Sequence, residues 1–167
     1  MIEERLQEAA ISTLEACEVA GKMLATVESC TGGLIAASLT EIAGSSAVVE
    51  AGFVTYSNDA KTRLVGVPSS LIEQHGAVSQ EVAIAMAEGG LWRCAADIVV
   101  SVTGVAGPGG GSDEKPVGTV HMACAIRGGM TRHVLQNYPD NGRSEIRIQT
   151  VLDALLLVQA CLTEETL

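Results

Sequence analysis

The sequence predicts an α/β protein, a three-layer α/β/α sandwich with a mixed, mostly parallel sheet and helices on both faces. Apolar, β-branched segments alternate with helical segments over the first two thirds of the chain. Two further strand segments then flank Gly128-Gly129, which is a hairpin signal. The 167 residues contain no repeat, linker or change of composition. We therefore expect a single domain over residues 1–167.

Each element has its own local signal. The first helix is predicted over residues 2–20, where apolar side chains recur at helical spacing and Gly21 ends the run. Asn58 is expected to cap a short third helix, and Pro68 to stand in the first turn of the fourth. The remaining helices are predicted over residues 34–43, 59–65, 68–75, 79–96 and 143–162. Strands are predicted over residues 23–29, 47–56, 97–103, 117–126 and 131–138.

Hydroxyl side chains stand where the first three predicted strands end. These residues are Ser29, Tyr56 and Thr103, and glycines follow Ser29 and Thr103 closely. In open α/β sheets, ligands bind beyond the carboxyl ends of the strands. The sequence therefore predicts a site at this edge of the sheet.

Composition argues against several classes of function. Twenty acidic residues against ten basic ones give a formal charge of −10, with no basic run, which disfavours a nucleic-acid binder. The apolar runs are far shorter than the roughly 20 residues of a membrane span, and the N-terminus resembles no signal peptide. The five widely spaced cysteines form no Cys-x-x-Cys pair, so we expect reduced thiols, no metal site and a cytoplasmic protein.

The segment after the first predicted strand could hold an anion. Ser29 stands before a helix N-terminus, where free backbone N–H groups of Thr31, Gly32 and Gly33 could bind an oxyanion or a phosphate. Alternatively, Ser29 and Thr31 only cap the helix. Cys30 could compete as nucleophile, although buried free cysteines are usually inert.

A serine nucleophile needs a base, and Lys61 is the candidate. It is predicted in the first turn of a helix, where the helix dipole disfavours a cation and burial would lower the lysine pKa. Tyr56 stands nearby and could relay a proton or only orient Lys61. Considered alone, Lys61 could equally be an exposed lysine on a solvated helix.

The third segment is a glycine-rich loop over residues 104–116, longer than most strand–helix connections. It matches no known phosphate-loop pattern, so an anion-binding loop beginning at Gly104, a lid and a plain surface loop all stay open. Arg143 at the start of the last helix could bind a phosphate or stay exposed. Ser112 and Lys115 match the Ser-x-x-Lys pattern of β-lactamases, but Pro116 disfavours the helix that this chemistry requires.

Seven motifs stand in order along the chain: Val27-Glu28-Ser29-Cys30-Thr31-Gly32-Gly33, Ile42-Ala43-Gly44-Ser45-Ser46, Gly52-Phe53-Val54-Thr55-Tyr56-Ser57-Asn58 with Lys61, Gly66-Val67, His75-Gly76-Ala77-Val78-Ser79, Gly104-Val105-Ala106-Gly107-Pro108 and Lys115-Pro116-Val117-Gly118-Thr119-Val120. Together they resemble one family, the CinA C-terminal domain family of PncC-type nicotinamide-nucleotide amidohydrolases. The resemblance covers about residues 5 to 162.

The resemblance implies hydrolysis of the carboxamide of nicotinamide mononucleotide to nicotinate mononucleotide and ammonia, without a metal or other cofactor. It assigns Ser29 as nucleophile and Lys61 as base, with Tyr56 alongside. It places Ser46, Thr103 and Arg143 around the substrate. It also suggests a dimer or larger homo-oligomer.

Longer relatives carry a metal-dependent ADP-ribose hydrolase domain ahead of this one, which we expect this chain to lack. Two other functions stay open from the sequence. One is a binding module, such as a nucleotide sensor or a competence-related protein, that holds a nucleotide without turnover. The other is a metal-dependent phosphohydrolase, for which no clustered Asp/His signature is present.

Overall fold

The computed structural model describes residues 2–164, which form five strands, six α-helices and one short 3-10 turn. The strands are β1 (Leu24–Glu28), β2 (Val49–Val54), β3 (Ile98–Gly104), β4 (Thr119–Ile126) and β5 (Thr131–Asn137). The helices are α1 (Glu4–Ala20), α2 (Leu34–Thr40), α3 (Asn58–Val65), α4 (Ser69–His75), α5 (Gln80–Arg93) and α6 (Arg143–Glu164), and the 3-10 turn spans Ser45–Ala47.

The strands form one mixed sheet in the order β2-β1-β3-β4-β5. β1 pairs in parallel with both β2 and β3, whereas β4 is antiparallel to β3 and to β5. Four strands therefore run in one direction and only β4 runs in the other. This confirms the predicted mixed, mostly parallel sheet and the hairpin at its end.

Helices cover both faces of the sheet, which confirms the three-layer prediction. Side chains of α1, α2 and α6 pack with Leu24, Val100 and Met122 on one face. Side chains of α3, α4 and α5 pack with Val27 and Val99 on the other. The core is aliphatic, as expected from an aromatic content of only 2%.

Several element boundaries differ from the prediction. α2 ends at Thr40 and α5 at Arg93, each three residues before its predicted end. The cap of α3 is Ser57, whose Oγ accepts the N–H of Ala60 at 3.0 Å, so the prediction of Asn58 as cap is wrong. Pro68 stands at the cap of α4 rather than in its first turn, because its extended backbone precedes the helix.

α6 is the one described helix that is long and apolar enough to cross a membrane by length and composition. However, 50% of its most apolar stretch is buried within the fold. It packs against α1 and the sheet, and Leu155 and Val158 are fully buried in that contact. Within residues 2–164, this burial marks α6 as a core helix.

The sheet register brings the three predicted strand ends together. Glu28 is paired with Val54 on one side and with Val102 on the other. The Ser29 N–H donates to the Val102 carbonyl at 3.0 Å, and the Thr55 N–H donates to the Glu28 carbonyl at 2.8 Å. The chain segments that follow β1, β2 and β3 therefore meet at one edge of the sheet.

Candidate active site

A cavity of about 270 Å³ opens at this edge, between the ends of β1, β2 and β3 and the start of α6. It combines hydroxyl groups, two cations and short apolar side chains. Its lining consists of Ser29, Cys30, Tyr56, Asn58, Lys61, Ala77, Val78, Thr103, Gly104, Ala106 and Arg143.

The central contact in the cavity joins Lys61 to Ser29. The Nζ of Lys61 donates to the Ser29 Oγ at 3.0 Å, and to the backbone carbonyls of Thr55 at 3.0 Å and Tyr56 at 3.4 Å. The Lys61 residue is only 1% exposed. The alternative of an exposed, solvated lysine is therefore wrong.

Burial lowers the pKa of Lys61 below its ordinary value, because removal from water penalises the ammonium form. No carboxylate is among its hydrogen-bond partners: Ser29 and the two carbonyls are neutral. Lys61 also lies in the first turn of α3, where the helix dipole disfavours positive charge. A lysine in these surroundings can lose a proton more readily and then accept one from a hydroxyl.

Cys30 lies beside Ser29, but its thiol is not ionised as a nucleophile requires. The side chain is buried, and burial raises the pKa of its thiol to about 12. Because the thiolate is the reactive form, Cys30 stays protonated and unreactive near neutral pH. The structure therefore favours Ser29 over Cys30.

The turn after Ser29 differs from the expected anion cradle. The Gly32 N–H donates to the Ser29 carbonyl at 3.0 Å. The second and third N–H groups of α2, at Ile35 and Ala36, donate to the side-chain carboxylate of Glu28 at 2.8 and 3.1 Å. The protein's own carboxylate thus occupies the N-terminus of α2, and the Thr31 hydroxyl also donates to it, at 2.7 Å.

Arg143 closes the cavity on the side of α6. Its Nη1 donates to the Gly107 carbonyl at 2.7 Å, and its Nη2 donates to the Tyr56 hydroxyl at 3.2 Å. Arg143 therefore links the glycine-rich loop to the end of β2. Tyr56 is 60% exposed and contacts Lys61 through its backbone carbonyl, while its hydroxyl contacts Arg143.

Thr103 shapes the wall of the cavity. Its buried hydroxyl donates to the Ala77 carbonyl at 2.8 Å and so holds the turn between α4 and α5 against the end of β3. Ala77 and Val78 of this turn line the cavity. Gly104 follows Thr103 and has no room for a side chain, since a Cβ there would lie 2.9 Å from the Thr119 carbonyl oxygen.

Sequence similarity now gives the family. The profile of the CinA C-terminal domain matches residues 4–162. The chain belongs to the CinA C-terminal domain family. A nicotinamide-nucleotide amidohydrolase PncC from Enterobacter agglomerans is 47% identical over 155 residues, covering 93% of this chain and 94% of that protein.

Longer relatives and a solved structure agree with this assignment. A CinA-like protein from Mycolicibacterium vanbaalenii is 53% identical over 145 residues, which are 87% of this chain. This chain covers 34% of that protein, so it spans about a third of the length of the CinA-like relatives. The crystal structure of the competence/damage inducible protein CihA from Agrobacterium tumefaciens superposes with a TM-score of 0.93 at 51% identity, covering 96% of this chain and 97% of that one.

The CinA fold gathers most, but not all, of the predicted site residues around the cavity. Ser29, Lys61, Tyr56, Thr103, Gly104 and Arg143 line it together. Thr31, Gly32 and Gly33 lie in the neighbouring turn, outside the lining. Ser46 is exposed in the 3-10 turn before β2, also outside the lining.

Sequence reasoning did not single out Asn58, Ala77, Val78 and Ala106 for the site. All four lie in motifs that carry the family resemblance, and Asn58 is also the predicted cap of α3, but none of them is predicted as a site residue. Their small or neutral side chains gave no chemical signal. The Ser112–Lys115 pair is set aside, because Lys115 Nζ donates to the His75 carbonyl at 2.9 Å and residues 112–115 form no helix.

Proposed function

We propose that this CinA-family domain is an amidohydrolase that cleaves the carboxamide of nicotinamide mononucleotide by a Ser29–Lys61 mechanism. The observation that carries the proposal is the 3.0 Å contact between a buried Lys61 amine and the Ser29 hydroxyl. The 47% identical relative, a nicotinamide-nucleotide amidohydrolase PncC, supports the same reaction class. The products would be nicotinate mononucleotide and ammonia.

In the first half of the reaction, the Ser29 Oγ attacks the carboxamide carbon while neutral Lys61 takes the hydroxyl proton. The negative charge that develops on the carboxamide oxygen needs hydrogen-bond donors. The Gly32 N–H is engaged by the Ser29 carbonyl, so Thr31 and Gly33 are the proposed backbone donors in this turn. Lys61 then returns the proton to the departing nitrogen, which leaves as ammonia.

In the second half, water attacks the resulting Ser29 ester, and Lys61 again accepts the proton. The C–O bond to Ser29 breaks, the nicotinate carboxylate forms, and Ser29 recovers its hydroxyl. Every proton transfer passes between the substrate, water and two side chains of this chain. The mechanism therefore requires no metal and no other cofactor.

The remaining cavity residues are proposed to bind the nucleotide. Arg143 and the glycine-rich loop would hold the anionic 5′-phosphate, because an arginine fork suits phosphate oxygens. Thr103 and Gly104 would contact the substrate from the end of β3, whereas Ser46 lies before β2, at the opposite end of that strand from Tyr56, and is not part of the proposed site. Tyr56 would orient Arg143, since their side chains are hydrogen-bonded.

Ammonia release from nicotinamide mononucleotide in the presence of EDTA tests the proposed function. The domain is expected to release one ammonia per nicotinate mononucleotide formed, at a rate that EDTA does not change. Saturable nucleotide binding without ammonia would instead establish a non-catalytic binding module. Loss of turnover in EDTA, with recovery on adding a divalent metal, would refute the metal-free mechanism.

We further propose that the domain acts in the cytoplasm as a homo-oligomer, without nucleic-acid or membrane partners. Its net charge of −10 supports the lack of a nucleic-acid partner. Light scattering of the purified domain tests the assembly, and a mass equal to one chain would contradict it.

A further inference from the structure

Two charged residues outside the cavity lining hold the chain that follows Ser29. Glu28 lies at the end of β1 and is 1% exposed, and Arg147 projects from α6 one turn beyond Arg143. We propose that Glu28 and Arg147 are positioning residues that fix the turn of residues 29–33, and with it the Ser29 hydroxyl, in the geometry that the reaction needs. This inference rests on the proposed function.

Glu28 holds the turn from the side of α2. Its carboxylate accepts the Thr31 hydroxyl at 2.7 Å and the N–H groups of Ile35 and Ala36 at 2.8 and 3.1 Å. The Thr26 hydroxyl adds a fourth contact at 3.3 Å. A buried carboxylate with these donors is well compensated, so it fixes the distance between the end of β1 and the start of α2.

Arg147 holds the same turn from the side of α6. Its Nη2 donates to the Thr31 carbonyl at 2.8 Å, and its Nε donates to the Cys30 carbonyl at 3.2 Å. In a trans peptide the N–H points away from the carbonyl, so the bond to the Cys30 carbonyl directs the Thr31 N–H of the same peptide away from Arg147. Arg147 thereby sets the orientation of one proposed oxyanion donor.

Thr31 joins the two contacts, because its hydroxyl donates to Glu28 while its carbonyl accepts from Arg147. The Gly32 N–H ties the turn back to the Ser29 carbonyl at 3.0 Å. A turn held from both sides cannot rotate without breaking charged hydrogen bonds. This explains why an arginine and a glutamate are needed near a nucleophile that neither of them touches.

The test compares Arg147→Ala with Arg63→Ala, which removes an exposed arginine on α3 whose hydrogen bond goes to Asp59. For Arg147→Ala we expect kcat for nicotinamide mononucleotide to fall about 100-fold, as for a nucleophile misplaced by about 1 Å, with KM within threefold. Added guanidinium should restore part of kcat, because it can occupy the vacated site. Arg63→Ala should match the wild type.

The split between kcat and KM decides the role of Arg147. An unchanged kcat in a folded Arg147→Ala variant would overturn the proposal. A large rise in KM at constant kcat would also overturn it, by showing that Arg147 binds substrate directly. Glu28→Gln is expected to lower kcat in the same way; if it fails to fold, Arg147→Ala still decides.

Labelling of Ser29 by a fluorophosphonate separates this proposal from the proposed function. In that reaction the Ser29 oxygen bonds to phosphorus, fluoride leaves, and Lys61 takes the proton. We expect labelling, followed by peptide mass spectrometry, to be at least tenfold slower in Arg147→Ala than in Arg63→Ala. If the wild type is labelled but releases no ammonia, the proposed function is refuted. The positioning role of Arg147 can still be tested in that case, by comparing the labelling rates of Arg147→Ala and Arg63→Ala. Equal labelling rates would overturn the positioning role.

Discussion

The Nζ of Lys61 lies 3.0 Å from the Oγ of Ser29, although 32 residues separate them along the chain. The parallel pairing of β1 with β2 makes this contact possible, because Ser29 follows β1 and α3 follows β2 at the same edge of the sheet. Ser57 caps α3 and so fixes the turn from which Lys61 enters the cavity. The order of the strands in the sheet therefore brings the proposed base to the proposed nucleophile.

The pH dependence of the reaction should report the lowered pKa of Lys61. Since Lys61 must be neutral to accept the Ser29 proton, kcat/KM is expected to rise with pH and level off above the Lys61 pKa. Burial lowers that pKa, so the midpoint of the rise should lie below the ordinary lysine value of 10.5. A profile of kcat/KM against pH measures it. A rise centred at or above the ordinary value would contradict the assignment of Lys61 as base.

Cys30→Ala should retain activity. Its thiol has a pKa of about 12 because of burial, so almost none is ionised at neutral pH. We expect kcat within about threefold of the wild type, since only packing changes. The activity that the wild type retains after its thiols are treated with iodoacetamide provides an independent check. Abolished turnover in a folded Cys30→Ala variant would transfer the nucleophile from Ser29 to Cys30.

Arg143→Ala should weaken substrate binding. It removes two contacts, to Gly107 and Tyr56, and the cation proposed for the phosphate. Hydrogen bonds to charged groups contribute about 1.5–3 kcal/mol, so KM for nicotinamide mononucleotide should rise about 10- to 100-fold. Steady-state kinetics beside Arg63→Ala measures the change. If KM matched that control, the phosphate would have to bind elsewhere.

How far the sequence could predict this molecule depends on the kind of signal. The alternation of strands and helices predicted the order of elements, because apolar periodicity is local. The convergence of Ser29, Tyr56 and Thr103 followed from the general rule for strand ends. The cap of α3 was wrongly predicted because Ser57 and Asn58 are both good caps, and only backbone geometry distinguishes them.

The contacts of Glu28 and Arg147 were beyond sequence reasoning for a different reason. Their partners are mostly backbone groups, which every residue carries and which leave no trace in the sequence. The four-residue spacing of Arg143 and Arg147 was the available signal, since it places both on one side of α6. Ala77 and Val78 could not be predicted as lining residues for a similar reason, because their side chains have no distinctive chemistry.

Thr103→Val should destabilise the fold and disturb the cavity wall. The valine keeps the shape but cannot donate to the Ala77 carbonyl, which Thr103 holds at 2.8 Å. Losing a buried hydrogen-bond donor costs about 1–3 kcal/mol in the free energy of unfolding. Urea denaturation measures it, with Thr40→Val as the matched control, because the exposed Thr40 hydroxyl bonds only within its own helix. Equal stability of the two variants would contradict the claim that the Thr103 hydroxyl holds the Ala77 turn in the cavity wall.

The most direct test of the central claim is ammonia release by Ser29→Ala beside Ser12→Ala, an exposed serine on α1 far along the chain from the cavity. Both variants should fold, as judged by circular dichroism. We expect Ser12→Ala to release ammonia from nicotinamide mononucleotide at the wild-type rate. The rate for Ser29→Ala should be at least about 1000-fold lower, because alanine cannot form the covalent ester intermediate. Wild-type turnover by a folded Ser29→Ala variant would contradict the Ser29–Lys61 mechanism.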